Sequence, residues 1–147
     1  MEDRTSGSID GGNRTAELSG ILETALTFDH DVAEETLAFY RETLGLTEVA
    51  SWREGTVFRL GFGVLLLFDR QLLEENDSPV AQHGSSGVGH ICFLAAPDHY
   101  EDMRARLEEA GVEIEHDHDW SDERRSFYFR DPADNLLEVA NADIWPT

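Results

Sequence analysis

Lysine is absent from this 147-residue chain, and all 11 of its basic residues are arginines. The chain carries 31 acidic residues, which give a formal net charge of −20 at pH 7. A nucleic-acid partner or an anionic membrane is therefore not expected, because both require a basic protein surface. Acidic residues in this excess usually form a solvated surface, and together with the lack of lysine they resemble the proteins of salt-loving organisms.

Cysteine and long apolar runs are also scarce. The single cysteine, Cys92, excludes an internal disulfide and favours a reducing, cytoplasmic location. The apolar run at residues 64–68 is far shorter than the roughly 20 residues of a membrane-spanning helix. No apolar signal segment is evident near the N-terminus, so secretion is not expected.

The remaining sequence divides into a tail and one domain. Residues 1–19 are rich in Gly, Ser, Asp and Asn without periodicity, which predicts a disordered acidic tail. Residues 20–147 are expected to form a single domain. It contains a first module at about 20–69, a polar connector at 70–87 and a second module at about 88–141.

The two modules share a strand–helix–strand–strand–strand pattern. In the first, strands are predicted at residues 21–28, 46–53, 56–60 and 64–68, and a helix at 33–44. In the second, strands are predicted at 88–94, 112–120, 126–130 and 136–140, and a helix at 97–110. The helices should end at Gly45 and Gly111, and Asp31 with Glu34 has the spacing of a capping box. The expected fold is α+β, with two βαβββ modules forming curved mixed sheets around a cleft and helices outside.

Overlaying the modules places four residues at equivalent positions: Glu23 and Leu66 in the first, His90 and Glu138 in the second. Three of these four can bind a metal, and Glu138 is a charge in an otherwise apolar strand. Burial of a lone carboxylate is unfavourable unless a cation or another partner offsets it. The set predicts a Zn, Mn, Fe or Ni site with open coordination positions, although each residue alone is more often a solvent-facing polar group.

Three further groups of residues are candidates for the site. His83, in the connector, has the chemistry of a fourth ligand or a general base, but a loop histidine without a function is commoner. His116, His118 and Trp120 alternate onto one face of a strand and line either the cleft or a solvated face.

Arg124 and Arg125 have the chemistry to hold an anionic substrate group, but in so acidic a chain pairing with surface acids is the commoner role. Cys92 shares the His90 face of its strand and is interpreted as a small core residue rather than as a nucleophile.

The sequence resembles the vicinal oxygen chelate superfamily, which includes glyoxalase I, extradiol dioxygenases, fosfomycin-resistance enzymes and metal-free bleomycin-binding proteins. The resemblance covers about residues 21–141. It is carried by Ala38-Phe39-Tyr40 and Leu44-Gly45-Leu46, and in the second module by Gly89-His90-Ile91, Phe127-Tyr128-Phe129-Arg130-Asp131-Pro132 and Asn135-Leu136-Leu137-Glu138.

The resemblance implies that His90 and Glu138 are metal ligands and that Glu23 stands where His or Gln is usual. Leu66 stands where glyoxalase I has a Glu ligand, which argues against that activity. Ser126 and Tyr128 resemble the phosphonate-contacting residues of fosfomycin enzymes, but both also fit as ordinary strand residues. Proteins of this type are commonly homodimers whose sites take one module from each subunit. The site is therefore expected either between two subunits or within one chain.

The expected function is divalent-metal-dependent chemistry on a small oxygen-chelating substrate, with Glu23, His90 and Glu138 as ligands. Glu23, Tyr128 and His83 are the candidate catalytic residues. Candidates for substrate binding are Ser126, Tyr128, Arg125, His116 and His118. The reaction is expected to be lyase or thiol-transfer chemistry or dioxygen chemistry. The alternative is non-catalytic binding of a small molecule.

The charge of −20 predicts that low salt destabilises the protein. At 1 M salt the Debye length falls to about 3 Å, so the mutual repulsion of the carboxylates is largely screened. The melting temperature should therefore rise as KCl is increased from low to molar concentration, measured by calorimetry at constant pH. A melting temperature that stays level or falls would contradict the prediction.

Overall fold

The computed structural model describes residues 18–77, 79–81 and 83–146. The predicted tail at residues 1–19 lies almost wholly outside this part of the chain. Two four-stranded sheets form the described domain, with strand orders β1-β4-β3-β2 and β5-β8-β7-β6. Both sheets are mixed and each belongs to one module, which confirms the predicted α+β architecture of two βαβββ modules.

In the first module the helical segment is continuous but changes its winding. A 3-10 turn at His30–Val32 leads into helix α1, which ends in a π-helical turn at Phe39–Thr43. The bounds are β1 Glu23–Phe28, α1 Ala33–Ala38, β2 Thr47–Ser51, β3 Gly55–Leu60 and β4 Gly63–Asp69. The connector contains a short helix, α2, at Arg70–Glu74, which the sequence did not predict.

The second module has the same order with shorter outer strands than predicted. Its bounds are β5 His90–Leu94, α3 Pro97–Glu109, β6 His116–Asp119, β7 Arg125–Arg130 and β8 Leu136–Ala140. The predicted strand at 112–120 begins only at His116, because the preceding residues connect α3 to the sheet. None of the helices in the described part of the chain has the length and apolar character that a membrane crossing requires.

The strand register confirms the repeat that the sequence predicted. Glu23 pairs with Val64 in the parallel β1–β4 ladder, and His90 pairs with Leu136 in the parallel β5–β8 ladder. The amide of Val64 donates to the carbonyl of Leu22 at 2.8 Å, and the amide of Leu136 donates to that of Gly89 at 2.9 Å. The four equivalent positions are therefore Glu23, Leu66, His90 and Glu138.

The predicted capping box at Asp31 is wrong. The residue before α1 is Val32, no side chain caps the helix, and Asp31 lies inside the 3-10 turn. Long-range contacts hold this turn instead: the backbone amide of His30 donates to Gln71, and its Nδ1 lies 2.5 Å from an Asp69 oxygen. The predicted left-handed stops are confirmed, with φ of 71° at Gly45 and 82° at Gly111.

One core joins the two modules. Each sheet turns one face inward, and Phe39 of the π-helical turn packs 6.4 Å from Phe129 of the second sheet. Tyr40 packs 6.1 Å from Phe58 of the first sheet, so the two neighbouring rings connect both sheets. The opposite face of each sheet points away from this core.

A buried polar network also crosses between the modules. The Tyr40 hydroxyl donates to an Asp131 carboxylate oxygen at 2.7 Å, and the Asn135 amide donates to the same oxygen at 2.9 Å. Asn135 also donates to the Thr27 carbonyl at 3.1 Å and accepts from the Gly89 amide at 3.0 Å. A Cβ on Gly89 would lie 2.7 Å from the Leu26 side chain, so glycine permits this close approach.

Tyr40→Phe tests this network, because it removes the donor to Asp131 while keeping the ring in the core. We expect the free energy of unfolding to fall by about 1.5–3 kcal/mol, the usual range for a hydrogen bond to a charged group. Chemical denaturation measures it. Tyr100→Phe is the matched control, since Tyr100 is also buried but packs on Phe127. Equal effects of the two substitutions would contradict the assigned role of the hydroxyl.

The His30–Asp69 contact predicts a pH effect on stability. The hydrogen bond to Asp69, followed by its charge, raises the pKa of His30 above 6.5. A raised pKa means that the folded protein binds the proton more tightly. The stabilisation is therefore complete below about pH 6.5 and is lost as the pH rises through the raised pKa. The amount by which the unfolding free energy of the wild type exceeds that of His30→Gln should therefore be larger at about pH 5.5 than at about pH 8.5.

Denaturation curves at the two pH values measure this difference. The exposed His99, on α3, supplies the control variant His99→Gln, which should show no such change. The prediction fails if His30→Gln and wild type keep a constant difference across the range.

Candidate functional site

The outward face of the second sheet carries most of the predicted site residues, and we refer to it as the open face. Strand pairing aligns Cys92 with Glu138, Glu138 with Tyr128, and Tyr128 with His116. These residues form one row across all four strands. His90 precedes Cys92 by two residues on β5 and so points to the same side.

His90 and Glu138 form the centre of the open face. His90 Nε2 lies 3.3 Å from Glu138 Oε1, and the Glu138 side chain is only 5% exposed although it is charged. The second carboxylate oxygen, Oε2, is buried and has no hydrogen-bond partner in the described structure. A buried carboxylate oxygen left in this state is unfavourable unless a cation or donor reaches it.

The orientation of His90 also favours a cation beside Glu138. Its Nδ1 lies 2.8 Å from the Leu136 carbonyl, and since a carbonyl only accepts hydrogen bonds, Nδ1 must carry the proton. In the neutral ring, Nε2 then directs a lone pair toward a carboxylate oxygen, which is repulsive. Protonation of the ring, or a metal ion held by His90 and Glu138, would remove that repulsion. In metal-bound histidines, the ring nitrogen that does not bind the metal usually donates a hydrogen bond to a carbonyl or carboxylate, as Nδ1 does here.

Glu23 does not join this pair within the chain. It lies on β1, is exposed, and pairs with Val64 at the place where His90 pairs with Leu136. Among residues 18–77, 79–81 and 83–146, no three His, Cys, Asp or Glu side chains form a group that could hold a metal. One chain therefore supplies two of the three predicted ligands at one point, and Glu23 as third ligand stays a prediction.

Cys92 and Tyr128 are held in their protonated forms beside Glu138. Desolvation, followed by the charge of Glu138, raises the pKa of the Cys92 thiol to about 12. Desolvation also raises the pKa of Tyr128, although a hydrogen bond with Ser126 opposes the shift. Both groups act as hydrogen-bond donors near neutral pH. Cys92 is exposed rather than a core residue, which corrects the interpretation from the sequence.

His116, His118 and Trp120 share one face, as predicted, and it is the open face. The His116 ring lies 5.9 Å from Tyr128, and the His118 ring lies 4.5 Å from Trp120. The Trp120 indole donates to the buried Ser126 hydroxyl at 2.9 Å, so Ser126 is covered in this structure. Trp145, 6.3 Å from Trp120, extends the row of rings; no sequence signal pointed to it, since it lies beyond the repeat.

The predicted connector histidine also reaches the region of the site. His83 packs edge-on against Phe68, with ring centroids 4.8 Å apart. It lines a cleft of about 360 Å³ together with His90, Ala25 and Thr27, where β1 approaches β5. This arrangement brings His83 and His90 to one cavity.

Arg125 lies on the other side of the sheet. Its side chain pairs with Glu101 at 3.4 Å and covers the Tyr100 ring of α3. Because neighbouring strand residues point to opposite faces, Arg125 cannot share the open face with Ser126. The structure therefore separates Arg125 from the other substrate-binding candidates and gives it the surface pairing that the sequence offered as its commoner role.

Known proteins with similar sequences and structures identify the family of this chain. The family model for the glyoxalase/bleomycin resistance protein/dioxygenase superfamily matches residues 27–139. The glutathione transferase FosA of Serratia marcescens is 33% identical over 112 residues, which cover 72% of this chain and 70% of that protein.

Two solved structures extend the comparison. The lactoylglutathione lyase from Agrobacterium tumefaciens is 36% identical, with a TM-score of 0.80 over 88% of this chain and 98% of that one. The fosfomycin resistance protein FosX of Listeria monocytogenes, solved with Mn(II), is 21% identical with a TM-score of 0.62 over 86% of this chain and 92% of that one, which shows the fold alone. The two relatives above 30% identity are thus named as a transferase and a lyase. The chain belongs to the glyoxalase/bleomycin resistance protein/dioxygenase superfamily.

Proposed function

We propose that the protein is a divalent-metal-dependent enzyme acting on a small, oxygen-rich substrate, with His90 and Glu138 as metal ligands. The observation that carries the proposal is the orphaned, buried Oε2 of Glu138 beside an imidazole nitrogen that is free to donate a lone pair. One histidine nitrogen and carboxylate oxygens suit Zn²⁺, Mn²⁺, Fe²⁺ or Ni²⁺.

We propose Glu23 of a second copy as the third ligand. The incomplete ligand set of one chain supports this, and so does apolar surface around β1, β4 and β5. There, Ile21 is 78% exposed, Leu22 56%, Phe62 75% and Leu94 72%. Exposed apolar groups in this number are typical of a surface that another protein covers. A homodimer would cover them and bring Glu23 to the open face.

The bound metal would act as a Lewis acid that polarises a substrate oxygen. Leu66, at the fourth equivalent position, supplies no ligand, so positions remain open for the substrate. Tyr128 keeps its proton near neutral pH and lies one strand from Glu138, where it can donate a hydrogen bond to an oxyanion. His83, in the cleft beside His90, has the position of a general base; Glu23 would take that role if it is not a ligand.

Between the two reaction classes, the relatives favour lyase or thiol-transfer chemistry. Both FosA and the lactoylglutathione lyase carry glutathione in their names and exceed 30% identity to this chain. We therefore propose a glutathione-type thiol as co-substrate. Ser126, Tyr128, His116 and His118 would contact the substrate on the open face.

Metal analysis after purification without chelator tests the proposal. We expect about one tightly bound divalent ion per chain, with affinity reduced by at least about 100-fold in Glu138→Gln and His90→Gln, since each removes a ligand. The surface variants Glu108→Gln and His99→Gln are matched controls and should bind as the wild type does. Unchanged metal content in both site variants would reject the assigned centre.

Stability without metal separates a metal centre from an ordinary ion pair. In chelator-treated protein, Glu138→Gln removes a buried charge and should be neutral or stabilising by about 1 kcal/mol. A purely structural pair would instead be destabilised.

Thiol consumption with glutathione and small oxygen-rich electrophiles, set beside oxygen uptake with diols, then tests the reaction class. Small-molecule binding that is unchanged in the site variants, without turnover, would favour a non-catalytic binding protein.

A further inference from the structure

The edge strand β6 carries a pair of histidines that the proposed centre does not use as ligands. His116 and His118 are two residues apart, so both point to the open face, and both are exposed. Tyr128 separates them from Glu138, because His116 pairs with Tyr128 and Tyr128 pairs with Glu138. Two strand spacings of about 4.8 Å place the pair about 10 Å from the His90–Glu138 centre.

The nitrogens of the two rings face each other at a separation that suits a shared ion. His116 Nε2 lies 3.4 Å from His118 Nδ1, which is longer than the usual 2.7–3.2 Å of an N–H hydrogen bond. Two nitrogens bound at about 2.0–2.1 Å to one tetrahedral ion lie about 3.4 Å apart. The ring centroids lie 5.6 Å apart and the ring planes are tilted by 46°.

The surroundings favour a cation. Glu115 pairs with Arg130 and Asp117 with Arg104, so the attraction for a cation comes from the net charge of −20 of the whole chain. Asp117 does not compete for the site, because it points to the other face and pairs with Arg104. Trp120 closes one end of the pair, with its ring 4.5 Å from His118.

We propose that His116 and His118 form a second metal site, open to solvent, for a borderline divalent ion such as Zn²⁺, Ni²⁺ or Cu²⁺. Two imidazole nitrogens select these ions over Mg²⁺ and Ca²⁺, which prefer oxygen ligands. In the described part of the chain no third His, Cys, Asp or Glu completes the group. Water or an oxygen donor of a bound molecule therefore fills the remaining positions, and affinity is lower than at a closed structural site. This site does not depend on the proposed enzyme activity.

Calorimetric titration of metal-free Glu138→Gln with Zn²⁺ or Ni²⁺ tests the proposal, because this background removes the first centre. We expect one binding event per chain, weakened at least about tenfold when His116→Gln or His118→Gln is added, since each removes one of two ligands. His99→Gln, added to the same background, should leave the binding unchanged. Mg²⁺ should give no binding at this position.

Tryptophan fluorescence locates the ion independently. Cu²⁺ or Ni²⁺ bound at His118 should quench Trp120, and Trp120→Phe should keep the binding heat but lose most of the quenching. Binding to Glu138→Gln that survives both histidine substitutions, or no binding to that variant at all, would overturn the proposal. Circular dichroism of each variant checks that the buried Glu138→Gln and the added surface substitutions leave the fold intact. If Glu138→Gln binds less metal than the wild type, that result concerns the first centre and does not change the outcome of this test.

Discussion

The side chain of Asn135 fixes the position of the candidate site. Its amide lies between the modules, donating to Thr27 of β1 and to Asp131, and accepting from Gly89 directly before His90. Asn135 itself precedes β8, three residues before Glu138. One buried amide therefore sets β1, β5 and β8 relative to each other. Because all its partners are buried or backbone groups, a shift of either module would leave several of them unsatisfied, which is unfavourable.

On that frame, the electrostatics of the open face follow from the placement of Glu138 in a central strand. Flanking strands remove water from the carboxylate, while Cys92 and Tyr128 on both sides stay protonated because their pKa values are raised. The charge is thus surrounded by neutral donors and by one imidazole held by the Leu136 carbonyl. Neutral donors cannot balance a desolvated charge as a cation does. A cation beside Glu138 would therefore stabilise the buried carboxylate, and the lone pair of His90 Nε2 points to the same place.

Much of this arrangement could be predicted from the sequence, for a physical reason. Strand alternation and the repeat are local properties, so the shared face of His116, His118 and Trp120 and the equivalence of Glu23 with His90 were correctly predicted. The failures involve long-range contacts. Asp31 has the spacing of a cap, yet Asp69 and Gln71, about 40 residues away, hold the helix start through His30. Convergence of Glu23 on His90 and Glu138 stays a prediction, because strand spacing encodes neither the relative placement of the two sheets nor contact with a second chain.

The repeat also explains how one scaffold separates packing from chemistry. The row Cys92, Glu138, Tyr128 and His116 in the second sheet corresponds by register to Ala25, Leu66, Val57 and Ala50 in the first. The same positions are thus polar in one module and apolar in the other. In the proposed homodimer, the polar row of one chain would face the apolar row of a second copy, and water would be excluded from His90 and Glu138 without any competing polar group being added. Charge interactions strengthen as the dielectric constant falls, so in that arrangement the apolar module would strengthen the interactions of the Glu138 carboxylate without donating a hydrogen bond to it. A carboxylate in place of Leu66 would add a ligand, but it would also bring water and charge repulsion to that surface. The apolar row is therefore consistent with the proposed site, in which the remaining coordination positions are open to the substrate.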